Sequence, residues 1–86
     1  MAYHVYVLRC RDGSLYTGIT NDLERRLRAH EAGRGSKYVR TRRPFRLVYS
    51  EEAEDRSSAL KAEIRIKGMA RQEKLRMIRE SVQGIR

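Results

Sequence analysis

The sequence predicts an α+β fold, in which a small three-stranded antiparallel sheet is flanked by helices in the order ββαβαα. Three observations lead to this class. Two runs rich in β-branched and aromatic residues flank the tight-turn signal Asp12-Gly13. A third such run, 45–50, follows a basic segment, and helix caps with helical apolar spacing mark the remaining stretches. At 86 residues the chain has the length of a single domain, 1–86.

The first part of the chain predicts a hairpin followed by a helix. The two strands are 3–10 and 14–20, since both are rich in residues that favour strands. Asn21 is the predicted N-cap of the helix, because Glu24 three residues later completes a capping-box pattern. The helix should end before Gly33, which is a favourable residue just beyond a helix.

The second part predicts a basic loop, a third strand and two more helices. The third strand is 45–50, which reads FRLVYS. Asp55 or Ser57 can cap the next helix, which should run to about Lys67. A last helix is expected from about 71 to 82.

The charge of the chain favours a nucleic-acid partner. The net charge is +9, and 16 of the 20 cations are arginine, which binds phosphate through two parallel hydrogen bonds. Residues 34–46 hold six cations and no acid, so this segment is predicted to follow a phosphate backbone, although a solvated basic loop is the simpler alternative. The single cysteine, Cys10, and the lack of an apolar run long enough to span a bilayer favour a cytoplasmic protein with no membrane partner.

Helical spacing turns two polar residues of the first helix inward. At about 100° per residue, Leu23 and Leu27 define the buried stripe, and Arg26 and His30 fall within the same arc. Burying a charge is costly without a partner. Arg26 therefore pairs with an internal acid for structural reasons, with His30 a satisfied core histidine, or the two belong to a functional site.

The second helix carries a similar anomaly at Glu63. This carboxylate lies in the middle of the predicted apolar face, so it must hold a metal, pair with a cation such as Lys67, or be protonated. The predicted apolar face consists of Ala59, Leu60, Ala62, Ile64 and Ile66.

Two tyrosines of the hairpin can join these residues only under one condition. A strict two-residue turn at Asp12-Gly13 would place Tyr6 and Tyr16 on opposite faces of the sheet. A three-residue loop or a glycine bulge returns both rings to one face. The two phenols can therefore take part in the same chemistry only if the hairpin has such an offset. If Tyr6 and Tyr16 are ordinary core aromatics, no offset is required.

The same positions resemble the GIY-YIG nuclease superfamily over nearly the whole chain, and especially its small stand-alone bacterial members. His4-Val5-Tyr6 stands where the family has Gly-Ile-Tyr, and Tyr16-Thr17-Gly18 stands where it has Tyr-Ile-Gly, with Gly18 as a structural motif residue. Arg26 matches the family's helix arginine, and His30 matches a position that carries histidine or tyrosine. Glu63 matches the metal-ligand position of the later helix.

This resemblance implies an endonuclease that hydrolyses DNA phosphodiester bonds, with RNA as a further substrate to consider, and with structure-selective or low sequence specificity. It implies that Glu63 binds one Mg²⁺ or Mn²⁺, that Arg26 stabilises charge on the phosphate, and that Tyr6, Tyr16 or His30 accepts a proton from the attacking water. The basic segment would bind nucleic acid through Arg34, Lys37, Arg40, Arg42 and Arg43.

Two alternatives stay open. Ile19 stands where many members carry lysine, and Asn21, a predicted cap, is the only asparagine, so the chain could be a nucleic-acid-binding module that cuts weakly or not at all. It could also be a nuclease subunit that needs a protein partner. That partner would contact the apolar residues of the C-terminal helix, unless these residues pack on the chain's own sheet. The apolar residues are Leu75, Met77, Ile78 and Val82.

Overall fold

The computed structural model describes the backbone of residues 2–85 and the side chains up to Ser81. The elements follow in the order β1 (Tyr3–Cys10), β2 (Leu15–Thr20), α1 (Leu23–Glu31), α2 (Lys37–Arg40), β3 (Phe45–Ala53), α3 (Arg56–Lys67) and α4 (Arg71–Ile85). None of the helices described is long and apolar enough to cross a membrane.

The three strands form one antiparallel sheet in the order β2-β1-β3. The predicted α+β class with helices flanking a three-stranded antiparallel sheet is therefore confirmed. Side chains alternate across β1, so Val5 and Val7 enter one core cluster and Tyr6 and Leu8 enter another. The first cluster lies against α3 and α4, and the second lies against α1 and α2. Both faces of the central strand are thus covered.

The hairpin between β1 and β2 has the odd offset that shared tyrosine chemistry requires. Its connection is Arg11–Gly13, closed by hydrogen bonds from the Cys10 amide to the Ser14 carbonyl (2.9 Å) and from the Gly13 amide to the Cys10 carbonyl (2.9 Å). Gly13 has a φ of 85°, which a residue with a side chain rarely adopts. Tyr16 consequently pairs with Leu8, two residues after Tyr6 on β1, and both phenols lie on one face.

Helix α1 begins one residue later than predicted. Asp22, and not Asn21, is the N-cap, and its carboxylate accepts a hydrogen bond from the Arg25 amide (3.1 Å). The Thr20 hydroxyl accepts from the Asp22 amide (3.1 Å), which fixes the turn into this geometry. The predicted capping box with Glu24 is therefore wrong. The predicted end is confirmed, since Gly33 follows the helix with a φ of 81°.

The basic segment, predicted as a loop, contains the short helix α2. The Ser36 hydroxyl caps it by accepting a hydrogen bond from the Val39 amide (3.2 Å), and Val39 is completely buried. One buried valine among cations is too weak an apolar pattern to predict a helix, yet it fixes the whole segment against the second core cluster.

Two further expectations change in the later elements. Strand β3 continues to Ala53, because an edge strand tolerates acids that face solvent, as Glu52 does. Ile64 is 69% exposed and does not belong to the buried face of α3. In α4, Met77 and Ile78 pack against the first core cluster, whereas the Val82 side chain lies outside the described residues.

Candidate active site

Tyr6 is the centre of a hydrogen-bonded cluster on the α1 face of the sheet. Its side chain is completely buried, and its Oη atom lies 2.8 Å from Nε2 of His30. Arg26 donates from Nε to the same Oη atom at 3.4 Å. One residue of β1 is thereby joined to the two inward polar residues of α1.

Gly18 on β2 makes room for this cluster. It is the direct cross-strand partner of Tyr6, and a Cβ atom at Gly18 would lie 2.6 Å from Tyr6 Oη and 2.7 Å from Cζ. Such distances are well inside van der Waals contact. The glycine of the second sequence motif is therefore required so that the phenol of the first motif can lie across β2.

Arg26 is half-buried and makes no ion pair with an acid among the residues described. Its Nη2 atom donates to the Gly35 carbonyl at 3.0 Å, in addition to the bond from Nε to Tyr6. The Tyr6 hydrogen bond is the main cause of a raised pKa of Arg26, and nearby Tyr16 raises that pKa as well. A permanently charged guanidinium with no carboxylate to neutralise it is suited to binding an anion.

His30 is completely buried and neutral at physiological pH. Burial, followed by the positive charge of Arg26, holds its pKa below the ordinary value. Nδ1 has no hydrogen-bond partner among the residues described, and Gly35 packs against that side of the ring. If Tyr6 donates to Nε2, only the Nδ1–H is left unpaired. If Nε2 donates instead, both the phenolic proton and Nδ1 are unpaired, so Tyr6 is the donor.

The two phenols have different environments. Burial, as the largest cause, raises the pKa of Tyr6 above its usual value, so Tyr6 stays a neutral donor. Tyr16 is only half-buried, with its ring centroid 6.4 Å from that of Tyr6 and 5.5 Å from that of His30. Tyr16 is therefore the phenol of this pair that solvent can reach.

Glu63 lies on α3, whose buried residues pack on the other face of the sheet. Its side chain is 17% exposed and lies 3.4 Å from Nζ of Lys67, the cation that the sequence suggested. The negative charge of Glu63 is the smallest of the causes that raise the pKa of Tyr6.

Within the described residues there is no group of three His, Cys, Asp or Glu side chains that could hold a metal ion. A lone carboxylate fits a Mg²⁺ or Mn²⁺ ion that keeps most of its waters and takes a phosphate oxygen from the substrate. Glu63 meets that condition because its partner Lys67 is 57% exposed and can turn towards solvent.

The basic segment lies beside this cluster. Arg34 lines a groove together with Arg26, and it also lines a second cavity with Lys37 and Arg40. Arg40 in turn lines a third cavity with Arg43. The cations therefore form a continuous path, which we call the basic track: Arg34, Lys37, Arg40 and Arg43.

Arg42, predicted as part of the same surface, contacts other residues of the protein surface. Its Nε atom donates to Asp12 Oδ2 at 3.1 Å, and its guanidinium carbon lies 3.8 Å from the centre of the Tyr38 ring.

The sequence predicts no role for two residues beside the site, Tyr38 and Gly35. Tyr38 acquires its role from helix α2, and Gly35 acquires its role from its close packing on His30. Neither feature produces a periodic pattern in the sequence.

Fold and site together are those of a GIY-YIG protein: the chain belongs to this family, whose GIY-YIG catalytic domain model matches residues 2–76. Members of the family are generally endonucleases that depend on a divalent metal and act on nucleic acid.

Within that family, the chain is similar to short bacterial proteins called UPF0213. It is 53% identical to one from Oceanobacillus iheyensis over 76 residues, which cover 88% of each chain. A UPF0213 protein from Staphylococcus haemolyticus is 49% identical over 78 residues, covering 91% of this chain and 95% of the relative.

Two solution NMR structures are similar in both fold and sequence. The UPF0213 protein of Bacillus halodurans is 41% identical with a TM-score of 0.59, covering 91% of this chain and 83% of that one. A protein of E. faecalis is 36% identical with a TM-score of 0.64, covering 95% and 88% of the two chains.

Proposed function

We propose that this chain is an endonuclease that hydrolyses DNA phosphodiester bonds with low sequence specificity and with one Mg²⁺ or Mn²⁺ ion held by Glu63. The observation that carries the proposal is the cluster in which Tyr6 joins Arg26 and His30 over Gly18. Arg26 there has neutral acceptors as its hydrogen-bond partners among the residues described. An ordered cation of this kind is the group needed where negative charge increases on a phosphate during hydrolysis.

Arg26 binds the scissile phosphate in this proposal. Its Nε and Nη2 atoms are held by Tyr6 and by the Gly35 carbonyl, which leaves further N–H donors of the guanidinium for a phosphate oxygen. Because its orientation is fixed before the substrate arrives, little reorganisation is required during the reaction. Tyr6 and His30 act through Arg26 and are positioning residues.

Tyr16 is the general base in this proposal. Water attacks phosphorus, the bond from phosphorus to the leaving strand oxygen breaks, and the proton of the water passes to the Tyr16 phenolate. Ionising a free tyrosine at pH 7 costs about 4 kcal/mol, since its pKa is about 10. Tyr6, which is completely buried, is less accessible to water than Tyr16, so we assign this role to Tyr16.

Glu63 would hold the divalent metal, and a bound ion supplies charge neutralisation at the phosphate and the leaving oxygen. The basic track provides exposed cations for the phosphates on either side of the scissile bond. Phosphate contacts of this kind carry no sequence information, which supports low specificity. DNA is the proposed substrate, and RNA oligonucleotides of the same sequence are the comparison.

The test measures nicking of supercoiled DNA with Mn²⁺ or Mg²⁺, together with binding to the same DNA. Glu63→Ala should abolish metal-dependent nicking and leave DNA affinity within about threefold, because the basic track is untouched. Lys67→Ala is the matched control, since it removes the partner of Glu63 but not the carboxylate, and it should retain nicking. Unchanged cleavage by Glu63→Ala would refute the metal role.

A second candidate is a binding module that no longer cuts. It is favoured by the ion pair between Glu63 and Lys67, which occupies the proposed metal ligand, and by Ile19 at a position where the family often has lysine. Such a protein would bind branched, nicked and single-stranded DNA in a salt-dependent manner and yield no products with either metal.

A further inference from the structure

Tyr38 on α2 covers the proposed general base. Its ring stacks on that of Tyr16 with a centroid separation of 6.0 Å and an interplanar angle of 24°. The Tyr38 side chain is 37% exposed, although an aromatic ring of this size is usually buried in a core. The ring therefore stacks on Tyr16 at the rim of the candidate site while part of it faces solvent.

Arg42, which lies close to Tyr38 in the sequence, holds the Tyr38 side chain in place. Its guanidinium carbon lies 3.8 Å from the centre of the Tyr38 ring, a distance typical of a cation–π contact. Its Nη1 atom donates to the Tyr38 carbonyl at 3.0 Å and to the Thr41 hydroxyl at 3.2 Å. The guanidinium is thus bound to both the ring and the backbone of the residue it holds.

Asp12 in the β1–β2 hairpin anchors Arg42 from a distance of 30 residues in sequence. The Asp12 carboxylate accepts from Arg42 Nε at 3.1 Å and from the Ser14 amide at 3.0 Å. The Ser14 hydrogen bonds, followed by Arg42, hold the pKa of Asp12 below its ordinary value, so the carboxylate is charged at neutral pH. Since the hairpin leads directly into β2, this anchor fixes Tyr38 relative to the strand that carries Tyr16.

We propose that Asp12, Arg42 and Tyr38 form a clamp that positions the Tyr16 phenol, so that Arg42 and Tyr38 are positioning residues. The hydrogen bonds to Asp12, Tyr38 and Thr41 fix Nε and Nη1 of Arg42, so we assign this side chain to the clamp and not to the basic track. The catalytic consequence rests on the proposed function, whereas the orientation of the Tyr16 ring does not.

Steady-state nicking separates the clamp from a phosphate contact. Arg42→Ala and Arg42→Lys should each lower kcat about tenfold with little change in KM, because lysine keeps the charge but loses the planar contact with the ring. Arg40→Ala is the matched control: it removes the same charge from the basic track, so its effect should fall on KM and on the salt dependence of binding.

Tyr38 itself provides a second comparison. Tyr38→Ala should lower kcat about tenfold, whereas Tyr38→Phe keeps the stacked ring and should restore kcat to within about twofold of the original protein. If Tyr38→Phe is as impaired as Tyr38→Ala, the hydroxyl and not the stack matters, and the clamp is overturned.

The orientation of Tyr16 can be measured without any substrate. In NMR spectra of the protein labelled at tyrosine rings, Tyr38→Ala and Arg42→Ala should both shift the Tyr16 ring signals, whereas Arg40→Ala should leave them in place. Unchanged Tyr16 signals in Arg42→Ala would overturn the clamp even if nicking is altered. A protein that never nicks DNA but shows these shifts would retain the clamp and contradict only the proposed function.

Discussion

Replacing Gly18 with alanine perturbs the cluster directly. The new Cβ would lie 2.7 Å from Cζ of Tyr6, about 0.8 Å closer than the shortest comfortable carbon–carbon contact of about 3.5 Å. Tyr6 is completely buried, so its ring cannot move into solvent. Gly18 lies in regular strand β2, and its neighbours on both sides are paired with β1, so the backbone has little room to yield.

The cost in stability has two parts, the overpacking by the new methyl group and the loss of the hydrogen bond between Tyr6 and His30. Forcing a methyl group into a packed core costs about 1–3 kcal/mol. A shift of about 0.8 Å is enough to stretch a hydrogen bond of the length seen between Tyr6 Oη and His30 Nε2, 2.8 Å, beyond its working range. Leaving those buried polar atoms unpaired adds about 1–3 kcal/mol, so the free energy of unfolding should fall by about 2–6 kcal/mol.

Urea denaturation followed by circular dichroism measures this loss, which corresponds to a decrease in Tm of at least about 10 °C for a domain of this size. Gly68→Ala is the matched control, because Gly68 has a φ of −80° and its Cβ would meet its nearest neighbour at an ordinary 3.4 Å. That variant should stay within about 0.5 kcal/mol or gain stability. A Gly18→Ala protein as stable as Gly68→Ala would refute the assigned contact with Tyr6.

Two further predictions concern His30 and the basic track. His30 is held neutral by burial and by Arg26, whereas an unfolded chain takes up a proton near pH 6.5. The unfolded state therefore binds more protons below that pH, so stability should be complete above about pH 6.5 and fall as the pH decreases. Urea midpoints between pH 5 and 8 test this, and a slope that is unchanged in His30→Gln would contradict it. Arg34→Ala combined with Arg43→Ala should reduce the slope of log affinity against log salt by about 2, one for each lost phosphate contact. An unchanged slope would exclude both from the phosphate surface.

The inward polar residues of α1 could be predicted from the sequence because helical geometry leaves little freedom. Once Leu23 and Leu27 fix the buried stripe, Arg26 and His30 must share it, and the structure shows both turned inward. The sequence predicts a hairpin offset as the condition for both phenols to lie on one face of the sheet. The φ of 85° at Gly13 shows how the chain meets that condition. These features depend on local periodicity and turn chemistry, which a sequence records directly.

Features that depend on contacts between distant segments could not be predicted. Asn21 and Asp22 are both good caps, and the Thr20 hydroxyl decides between them. Ile64 is as apolar as any core residue, but its side chain is exposed, because tertiary packing and not residue type decides which side of α3 is covered. Arg42 resembles its basic neighbours until Asp12, 30 residues away, is seen to hold it.

The central claim is that Arg26 stabilises charge on a DNA phosphate from within the Tyr6 cluster. The most direct measurement compares the metal-dependent nicking rate at saturating DNA for Arg26→Ala and Arg79→Ala, which remove the same charge. Arg79 is exposed on α4, the helix that packs on the other face of the sheet. We expect Arg26→Ala to lose about 10²-fold or more in rate and Arg79→Ala to match the original protein. Equal rates for the two variants would contradict the account.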